Sequence, residues 1–306
     1  MEYELKGNCD HVMLHVLSGA DKSIVGIKIR NCSIIEMKWK ELYNLVILTR
    51  GIQEHNNFIM SLFFNNIHCN DDDAVIVLEA LIDNDLTFFE GDIIQMLKLY
   101  HSGDIYSCYR LCYRMRDGKV MPGGLIENVQ YTHAVGCMPG KYHLSDSERA
   151  EFCKWFETYH HLLYARDCNN TYKAMRRTYD KSYFIGVTEL EYIMLFSTLE
   201  MIFGSGNSEI TYQIARGTSL LLSATSDEMS EVYKQIKKLY HVRSKYVHNG
   251  TKIPMESLFQ LREIVRRVLI KLVDLGYHVE GKSFDELRTK ILLGGYHTFA
   301  DTEKER

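Results

Sequence analysis

Apolar residues in the first 140 positions fall into short runs, some alternating with polar residues and some continuous. Alternation with a period of two predicts a half-buried strand, and a short continuous run is also consistent with one. The longest alternating segment ends at Asp117-Gly118, a dipeptide that favours a hairpin turn. Strands are predicted near residues 24–30, 45–48, 58–64 and 105–116, and helices at 74–83 and 92–100.

From Ser145 onward, apolar residues recur at helical spacing, and four helix starts carry a capping signature. In each, a Ser or Thr hydroxyl can accept from a first-turn N–H while a Glu three residues later returns to the cap N–H. Glycines follow three of these helices, where a left-handed backbone favours glycine. The capping pairs are Ser145/Glu148, Thr188/Glu191, Thr225/Glu228 and Ser283/Glu286, and the glycines are Gly204, Gly250 and Gly276. The predicted helices span residues 145–166, 188–203, 209–223, 227–249, 255–276 and 283–293.

The two patterns together predict an α+β protein, with a mixed, strand-containing N-terminal domain followed by an all-α helical bundle. Pro122 and Pro139, two of the three prolines, lie with several glycines in one stretch between the two halves. We therefore place the domains at residues 1–140, a mixed α/β domain of unknown role, and 141–306. Long helices joined by short loops are typical of a bundle.

Composition narrows the class of protein. The hydrophobic fraction of 46% and the charged fraction of 25% are those of an ordinary globular chain. A net charge of −4 is unusual for a dedicated nucleic-acid binder, although an RNA-cutting enzyme needs only a local basic patch. The chain opens without a secretory signal, and no apolar run approaches the roughly 20 residues of a membrane span. With eight scattered cysteines, these features predict a cytoplasmic protein with reduced thiols and no membrane partner.

The predicted helix at 227–249 contains Arg243-x4-His248 in its last turns, directly before Asn249-Gly250. This bare spacing is a weak signal, because about two such matches arise by chance in a chain of this composition. A second match, Arg50-x4-His55, follows a strand-like run, and for that reason we interpret it as chance. Arg243 and His248 differ from it because their helix is long, capped and amphipathic.

A helical wheel separates the two motif residues. At about 100° per residue, Arg243 falls in the middle of an apolar stripe. A guanidinium there is costly unless it is paired, for which a carboxylate such as Glu200, a phosphate or a partner subunit would serve. His248 lies about 140° away on a basic face, so the two side chains converge only if the helix ends between them or a second copy faces the first. The stripe consists of Val232, Ile236, Leu239, Tyr246 and Val247, and the basic face of Lys234, Lys237, His241 and His248.

The segment from Tyr240 to Gly250 resembles the ApeA-like branch of the HEPN superfamily of ribonucleases. In that segment, a Tyr precedes Arg243-Ser244, and Val247-His248 precedes the glycine. Residues 195–200 and 214–222 also resemble the branch, so that the resemblance covers roughly residues 145–280. It implies a dimeric helical bundle with a composite site at its interface. It also implies a toxin-like role in bacterial defence against phage, by abortive infection, with a phage-derived or antitoxin regulator.

The same resemblance implies a metal-independent endoribonuclease that uses no cofactor, in which the RNA 2′-OH attacks the adjacent phosphate. His248 would transfer the proton, since histidine titrates near neutral pH. Arg243 would stabilise the transition state with its planar fork of donors. By resemblance or position, the supporting residues are Glu200, Arg216, Ser244 and Asn249, and the residues expected to hold the RNA backbone are Lys237, Lys238 and Lys245.

Alternatives to this interpretation exist at the level of sequence. Arg243 and His248 also suit a plain helix C-terminus, where cations interact favourably with the helix dipole. HEPN domains occur as catalytically silent dimerisation or sensing modules, and Glu200 and Arg216 suit structural ion pairs equally well. Cys108-x3-Cys112 would project from one face of a strand and, with His133-x3-Cys137, would offer four zinc ligands. Buried cysteines in a sheet are commoner than such a site.

Overall fold

The computed structural model of the chain describes residues 9, 11–50, 58–59, 73–82, 90–117, 119–122, 141–164, 168–204 and 209–295. The chain forms two compact units, Met1–Thr158 and Tyr159–Arg306. The strands that the structure describes all lie in the first unit, and long helices build the second, which confirms the α+β class. The predicted boundary between residues 140 and 141 stays a prediction, since the residues directly before it lie outside the described ranges.

The described strands of the first unit form one antiparallel sheet. They are β1 (His11–Ser18), β2 (Lys28–Ile29), β3 (Cys32–Lys38), β4 (Ala74–Ile82), β5 (Tyr106–Arg116) and β6 (Lys119–Val120). Two helices belong to the same unit, α1 (Trp39–Arg50) after β3 and α2 (Glu90–Tyr100) before β5. The strand order is β2-β3-β4-β1-β5-β6, so β1 and β4, which are distant in sequence, lie side by side at its centre.

Helix α1 covers one face of this sheet, and the prediction of a strand at residues 45–48 is wrong. Leu42, Leu45 and Val46 of α1 pack with Val12 and Leu14 of β1 in one apolar core. Their spacing of three and four residues is that of a helix face. A run of four apolar residues does not by itself distinguish a buried strand from the buried turn of a helix.

Strand β4 lies inside the sheet, and the prediction of a helix at residues 74–83 is also wrong. β4 pairs with β1 on one side and with β3 on the other. Val75 and Val77 face the core that α1 covers, while Leu78 and Ala80 are buried as well. A strand buried on both faces is a nearly continuous apolar run without alternation. The sequence therefore lacked the periodicity that marks a half-buried strand.

The strand predicted at residues 105–116 is confirmed as β5, and so is the hairpin turn that ends it. Arg116 pairs with Lys119 of β6 across the turn. Asp117 adopts a left-handed backbone with φ of 53°, which Asp tolerates better than most residues. The register with β1 shifts between Val16 and Leu17, so that β5 carries a bulge at Cys108.

Three further predictions for this unit have mixed outcomes. The helix at 92–100 is confirmed within α2. Residues 24–30 contain the end of a 3-10 turn, Lys22–Ile24, and then the short strand β2. In the segment 58–64, residues 58 and 59 are helical, contrary to the predicted strand, and residues 60–64 lie outside the described ranges.

The remaining helices begin with α3 (Asp146–Leu163), within which the division between the units falls, and the helices after it build the second unit. Those after it are α4 (Asn170–Ser182), α5 (Thr188–Phe203), α6 (Ile210–Leu222), α7 (Ser226–Asn249), α8 (Met255–Asp274) and α9 (Phe284–Leu293). All six predicted helices are confirmed, each to within three residues at either end. Among the helices of the described ranges, none combines the length and apolar character that crossing a bilayer requires.

Helix α4 is absent from the predictions because its buried face consists largely of tyrosines. Tyr172, Met175 and Tyr179 are fully buried at helical spacing. The Tyr179 hydroxyl bonds to that of Tyr183 (2.9 Å), and Asn169 caps the helix by accepting from the N–H of Thr171 (2.9 Å). A stripe of tyrosines can form part of a core when each buried hydroxyl has a hydrogen-bond partner, although the hydroxyls make the sequence pattern look polar.

The predicted Ser or Thr hydroxyl caps the helix at three of the four starts, and the reciprocal bond from the Glu is shown at Ser145. At Ser145 the box is complete: its N–H donates to the Glu148 carboxylate (2.8 Å) and its Oγ accepts from the Glu148 N–H (3.3 Å). The Thr225 hydroxyl accepts from the N–H of Glu228, whose carboxylate accepts from Ala224 instead of Thr225. The Ser283 hydroxyl accepts from a first-turn N–H as well.

At Thr188 the predicted capping box is wrong. Val187 is the residue that caps α5, and its side chain makes no capping bond. Glu191 instead accepts from the Arg262 guanidinium of α8 (2.6 Å), and both side chains are only 2% exposed. The tertiary partner displaces the local one because a buried guanidinium needs a carboxylate more than an N-terminal amide does.

The predicted left-handed glycines are confirmed at Gly250 (φ 65°) and Gly276 (φ 76°) and wrong at Gly204 (φ −72°). Gly204 has a different reason to lack a side chain. A Cβ there would lie 2.6 Å from the carbonyl oxygen of Glu200, closer than real Cβ atoms approach.

Candidate active site

Arg243 and His248 lie in the last two turns of α7, the longest described helix. The Thr225 hydroxyl caps its first turn, and Gly250 ends it with a left-handed residue whose N–H donates to the Tyr246 carbonyl (2.8 Å). Asn249, a predicted supporting residue, is the last helical position and is exposed. The helix thus presents the motif directly before a sharp change of chain direction.

Arg243 is held by two partners. Its Nη2 forms an ion pair with a carboxylate oxygen of Glu200 on α5 (2.9 Å), and its Nη1 donates to the Tyr240 hydroxyl (3.0 Å). The Arg243 and Glu200 side chains are 22% and 24% exposed, so the pair is partly shielded from solvent. Of the three partners expected for a guanidinium on the apolar stripe, a carboxylate such as Glu200, a phosphate or a partner subunit, the structure shows the Glu200 carboxylate.

The sequence of α5 explains how this pairing arises. Phe196 and Glu200 are one turn apart on α5, and Tyr240 and Arg243 are one turn apart on α7. The Phe196 and Tyr240 rings meet edge to face with centroids 5.4 Å apart. This aromatic contact aligns the two helices, so that the next turn of each brings the carboxylate to the guanidinium. Sequence reasoning missed Tyr240, although its position three residues before Arg243 is a signal for contact.

His248 lies away from this pair. Five residues after Arg243, it points about 140° around the helix axis and is exposed. Ser244, the residue after the arginine, is half-buried. The structure therefore brings Glu200 and Arg243 together and leaves His248 on a separate, solvent-facing side of α7.

The predicted RNA-holding lysines, Lys237, Lys238 and Lys245, are all exposed on α7. The Nζ of Lys237 lies 5.6 Å from the ring centroid of Tyr233. Residues 232–249 contain five Lys or Arg residues, two His residues and no Asp or Glu, whereas the whole chain has a net charge of −4. The helix thus provides a local basic surface within an acidic protein.

The apolar stripe of α7 is buried only along its first part. Ile236 and Leu239 are fully buried, and the Leu239 carbonyl accepts from the Tyr192 hydroxyl of α5 (2.8 Å). Burial raises the pKa of Tyr192 well above its ordinary range. Val247, four residues beyond Arg243, is 55% exposed. The part of the stripe near Arg243 and His248 is therefore not covered by the core of the unit, and its apolar side chain Val247 faces solvent.

Arg216, a predicted supporting residue, lies in a different environment. Its guanidinium donates to the carbonyls of Ile291 (3.2 Å) and Gly294 (2.7 Å) at the end of α9. The last carbonyls of a helix have no partners within it, so the bond from Arg216 to Ile291 and the one to the C-cap residue Gly294 complete the α9 terminus. The contacts of Arg216 thus favour a structural role.

The second motif match has one residue within the described ranges. Arg50 is the last residue of helix α1, and His55 lies outside the described part of the chain. The apolar run before Arg50 was predicted to be a strand, and for that reason this match was interpreted as chance; the run is part of helix α1. The difference between the two matches now rests on the length of their helices and on the surroundings of Arg243.

The zinc interpretation depended on two cysteines that share a strand face. Cys108 packs in the core covered by α1 and donates to the Val16 carbonyl (3.3 Å), whereas Cys112 alternates with core residues Leu111 and Tyr113. The bulge at Cys108 shifts the alternation, so the two thiols face opposite sides of the sheet. His133 and Cys137 lie outside the described ranges.

No protein-family model, curated protein or solved structure matches this chain.

Proposed function

We propose that the helical unit is a HEPN-like domain with metal-independent endoribonuclease activity, acting in bacterial defence against phage. The supporting observation is the environment of Arg243, an arginine that an apolar stripe, a carboxylate and a phenol hold in one orientation. An arginine placed only for favourable interaction with the helix dipole would not need this support.

The contacts of Arg243 leave donors for a phosphate. A guanidinium has five N–H groups. Tyr240 accepts from one N–H of Nη1, Nη2 is ion-paired with Glu200, and Nε is buried, so each terminal nitrogen keeps an N–H for a phosphate oxygen. Since the side chain is already ordered, little conformational entropy is lost when those two donors meet a phosphorane-like transition state.

His248 would serve the proton transfer. Its exposure at the end of α7 leaves the imidazole accessible to an RNA 2′-OH, and neutral imidazole is a suitable base near pH 7. The 2′-OH then attacks the adjacent phosphorus and its proton passes to the imidazole, while the bond from phosphorus to the 5′-oxygen of the next nucleotide breaks. The departing 5′-oxygen takes a proton from water, and the imidazolium returns its proton to solvent. The products are a 2′,3′-cyclic phosphate and a 5′-OH.

The angle between Arg243 and His248 favours a composite site built from two copies of the chain. The second copy would supply the residue that one helix cannot direct to the same point. Val247 supports this arrangement, because an exposed apolar side chain beside the motif would be buried in such a dimer. Light scattering tests it: a monomer at tens of micromolar protein would count strongly against the composite site.

The decisive experiment measures RNA cleavage in EDTA by the wild type and by His248→Ala and Arg243→Lys variants. His248→Ala should lower the rate by about 10²-fold or more, the usual scale for loss of a proton-transfer group. Arg243→Lys should also be severely impaired, since a point charge does not replace a bidentate fork. DNA should be resistant because it lacks the 2′-OH.

Arg50→Ala and His55→Ala are the matched controls, since they remove the other motif match, and both should retain activity. Far-UV circular dichroism must show each variant folded. Full activity in folded His248→Ala protein, or cleavage that requires added metal, would refute the mechanism. Intact RNA in the wild-type reaction would instead favour the silent dimerisation or sensing module.

A further inference from the structure

A pair of aromatic rings with a lysine above one of them lies at the other end of α7 from His248. Tyr212, in the first turn of α6, is 44% exposed. Its ring centroid lies 6.4 Å from that of Tyr233 on α7, with the planes at 74°. Lys237 places its ammonium 5.6 Å from the Tyr233 centroid. An exposed ring beside a cation is the arrangement on which single-stranded nucleic acids stack their bases.

Tyr212 also forms part of the wall of a pocket of about 290 Å³. The other apolar side chains that line it are Phe203 of α5 and Ile291 and Leu292 of α9. Two arginines hold its walls in place: Arg216 donates to the carbonyl of Gly294 (2.7 Å), and Arg288 donates to that of Met201 (2.8 Å). This volume is near the lower limit for small-ligand sites, which suits a planar group of the size of a nucleobase.

A row of polar side chains leads from this cluster to the motif. Counting from Tyr233, the row continues at spacings of four, four, three and four residues, which keeps it on one side of the helix. It spans roughly 22 Å at the rise of an α-helix. The positions are Tyr233, Lys237, His241, Ser244 and His248, and all except the half-buried Tyr233 and Ser244 are exposed.

We propose that the exposed ring of Tyr212, supported edge to face by Tyr233, stacks a nucleobase of single-stranded RNA, with Lys237 bound to the adjoining phosphate and the strand running along α7 toward His248. The choice of RNA as ligand rests on the proposed function. Single strands expose the faces of their bases, whereas a duplex keeps them stacked on one another. The site therefore selects unpaired RNA several nucleotides away from the scissile bond, and it is separate from the groups that carry out the chemistry.

Fluorescence anisotropy of a labelled 2′-O-methyl RNA tests the proposal, because this probe has no free 2′-OH and cannot be cut. The full chain should bind the single strand more tightly than the same strand paired with its complement. Tyr212→Ala should weaken binding of the single strand by about 5- to 100-fold, the range for loss of one base stack, and Tyr233→Ala, which removes the ring that supports Tyr212, should weaken it by a smaller factor. Tyr212→Phe and Tyr233→Phe keep the ring and should bind as the wild type does.

Lys237→Ala should lower the slope of log affinity against log salt by about 0.7, the value for one phosphate contact on a single strand. Lys181→Ala is the matched control, an exposed lysine on α4 that should leave both affinity and slope unchanged. Equal affinity for single strand and duplex, or alanine variants that bind as tightly as the phenylalanine ones, would overturn the stacking site. Because binding is measured without cleavage, a wild type that binds the probe but leaves RNA intact would refute only the proposed function.

Discussion

Glu191 and Arg262 form an ion pair that should couple α5 to α8 strongly, and removal of either partner should destabilise the helical unit. The carboxylate and guanidinium are 2.6 Å apart, and each side chain is 2% exposed. The Arg262 guanidinium also lies 4.4 Å from the ring centroid of Tyr183. The pair thus has almost no access to water, and loss of one charge leaves the other buried.

The magnitude follows from that burial. Two unit charges about 4 Å apart interact by about 4 kcal/mol at an effective dielectric constant of 20. The cost of removing both ions from water offsets much of this gain, so the pair contributes little relative to a well-packed apolar pair. Removal of one partner, however, typically costs about 3–5 kcal/mol because the remaining charge has no compensation.

A double-mutant cycle separates these two effects. Glu191→Leu and Arg262→Met keep similar volumes, and each should lower the free energy of unfolding by about 3–5 kcal/mol. The double variant should lie within about 2 kcal/mol of the wild type, so that the coupling energy is larger than either net change. Urea unfolding followed by far-UV circular dichroism reports mainly on helix content. Tryptophan fluorescence reports on the first unit, which holds both tryptophans, Trp39 and Trp155, so the loss should appear in the first signal and not in the second. Costs in the single variants that simply add in the double variant would refute the argument.

Three further outcomes are expected. Burial and, to a lesser degree, the charge of Arg110 lower the pKa of His15 to about 3. Below about pH 6.5 the unfolded chain binds a proton at this histidine and the folded chain does not. The free energy of unfolding should therefore fall by about 2 kcal/mol between neutral pH and pH 5. In the His15→Leu variant, the free energy of unfolding, measured by tryptophan fluorescence in urea, should lack this part of its pH dependence. An unchanged pH dependence in the variant would exclude the histidine as its source. Glu200→Gln should lower the rate of the proposed RNA cleavage by about 5- to 10-fold with KM unchanged, as expected for a residue that positions Arg243. A change confined to KM would contradict that role. Gly250→Ala should destabilise the second unit by about 1–2 kcal/mol because a Cβ is strained at φ 65°, and thermal unfolding of Gly250→Asn should show a smaller loss.

The helices of the second unit could be predicted from the sequence because their signals are local. The capping box at Ser145 and the left-handed Gly250 depend on residues within four positions along the chain. The 3.6-residue periodicity of long amphipathic segments located six helices to within three residues at each end. Helix α4 was missed because its buried face uses tyrosines, whose hydroxyls find partners only in the folded bundle.

In the candidate site too, some features follow from local sequence signals and others from tertiary contacts. That Arg243 needs a partner followed from its place on an apolar stripe, since the cost of burying a charge depends on the residue type and its helical face. The second contact, from Tyr240, required the position of the facing helix to be known, because Phe196 sets the alignment of the two helices. The Tyr212–Tyr233 contact joins residues of two helices and leaves no local pattern.

The sequence alone determined the composition of each unit, the helix starts and ends that capping groups mark, and the spacing of Arg243 and His248 on one helix. Only the tertiary structure decided that the apolar run at residues 45–48 is part of helix α1 and that the run at residues 74–83 is strand β4. Both runs are buried, and they differ only in what packs against them. The tertiary structure also decided that Glu191 pairs with Arg262 and not with the α5 cap, because a buried charge takes the partner that the fold brings to it, over any partner nearer in sequence.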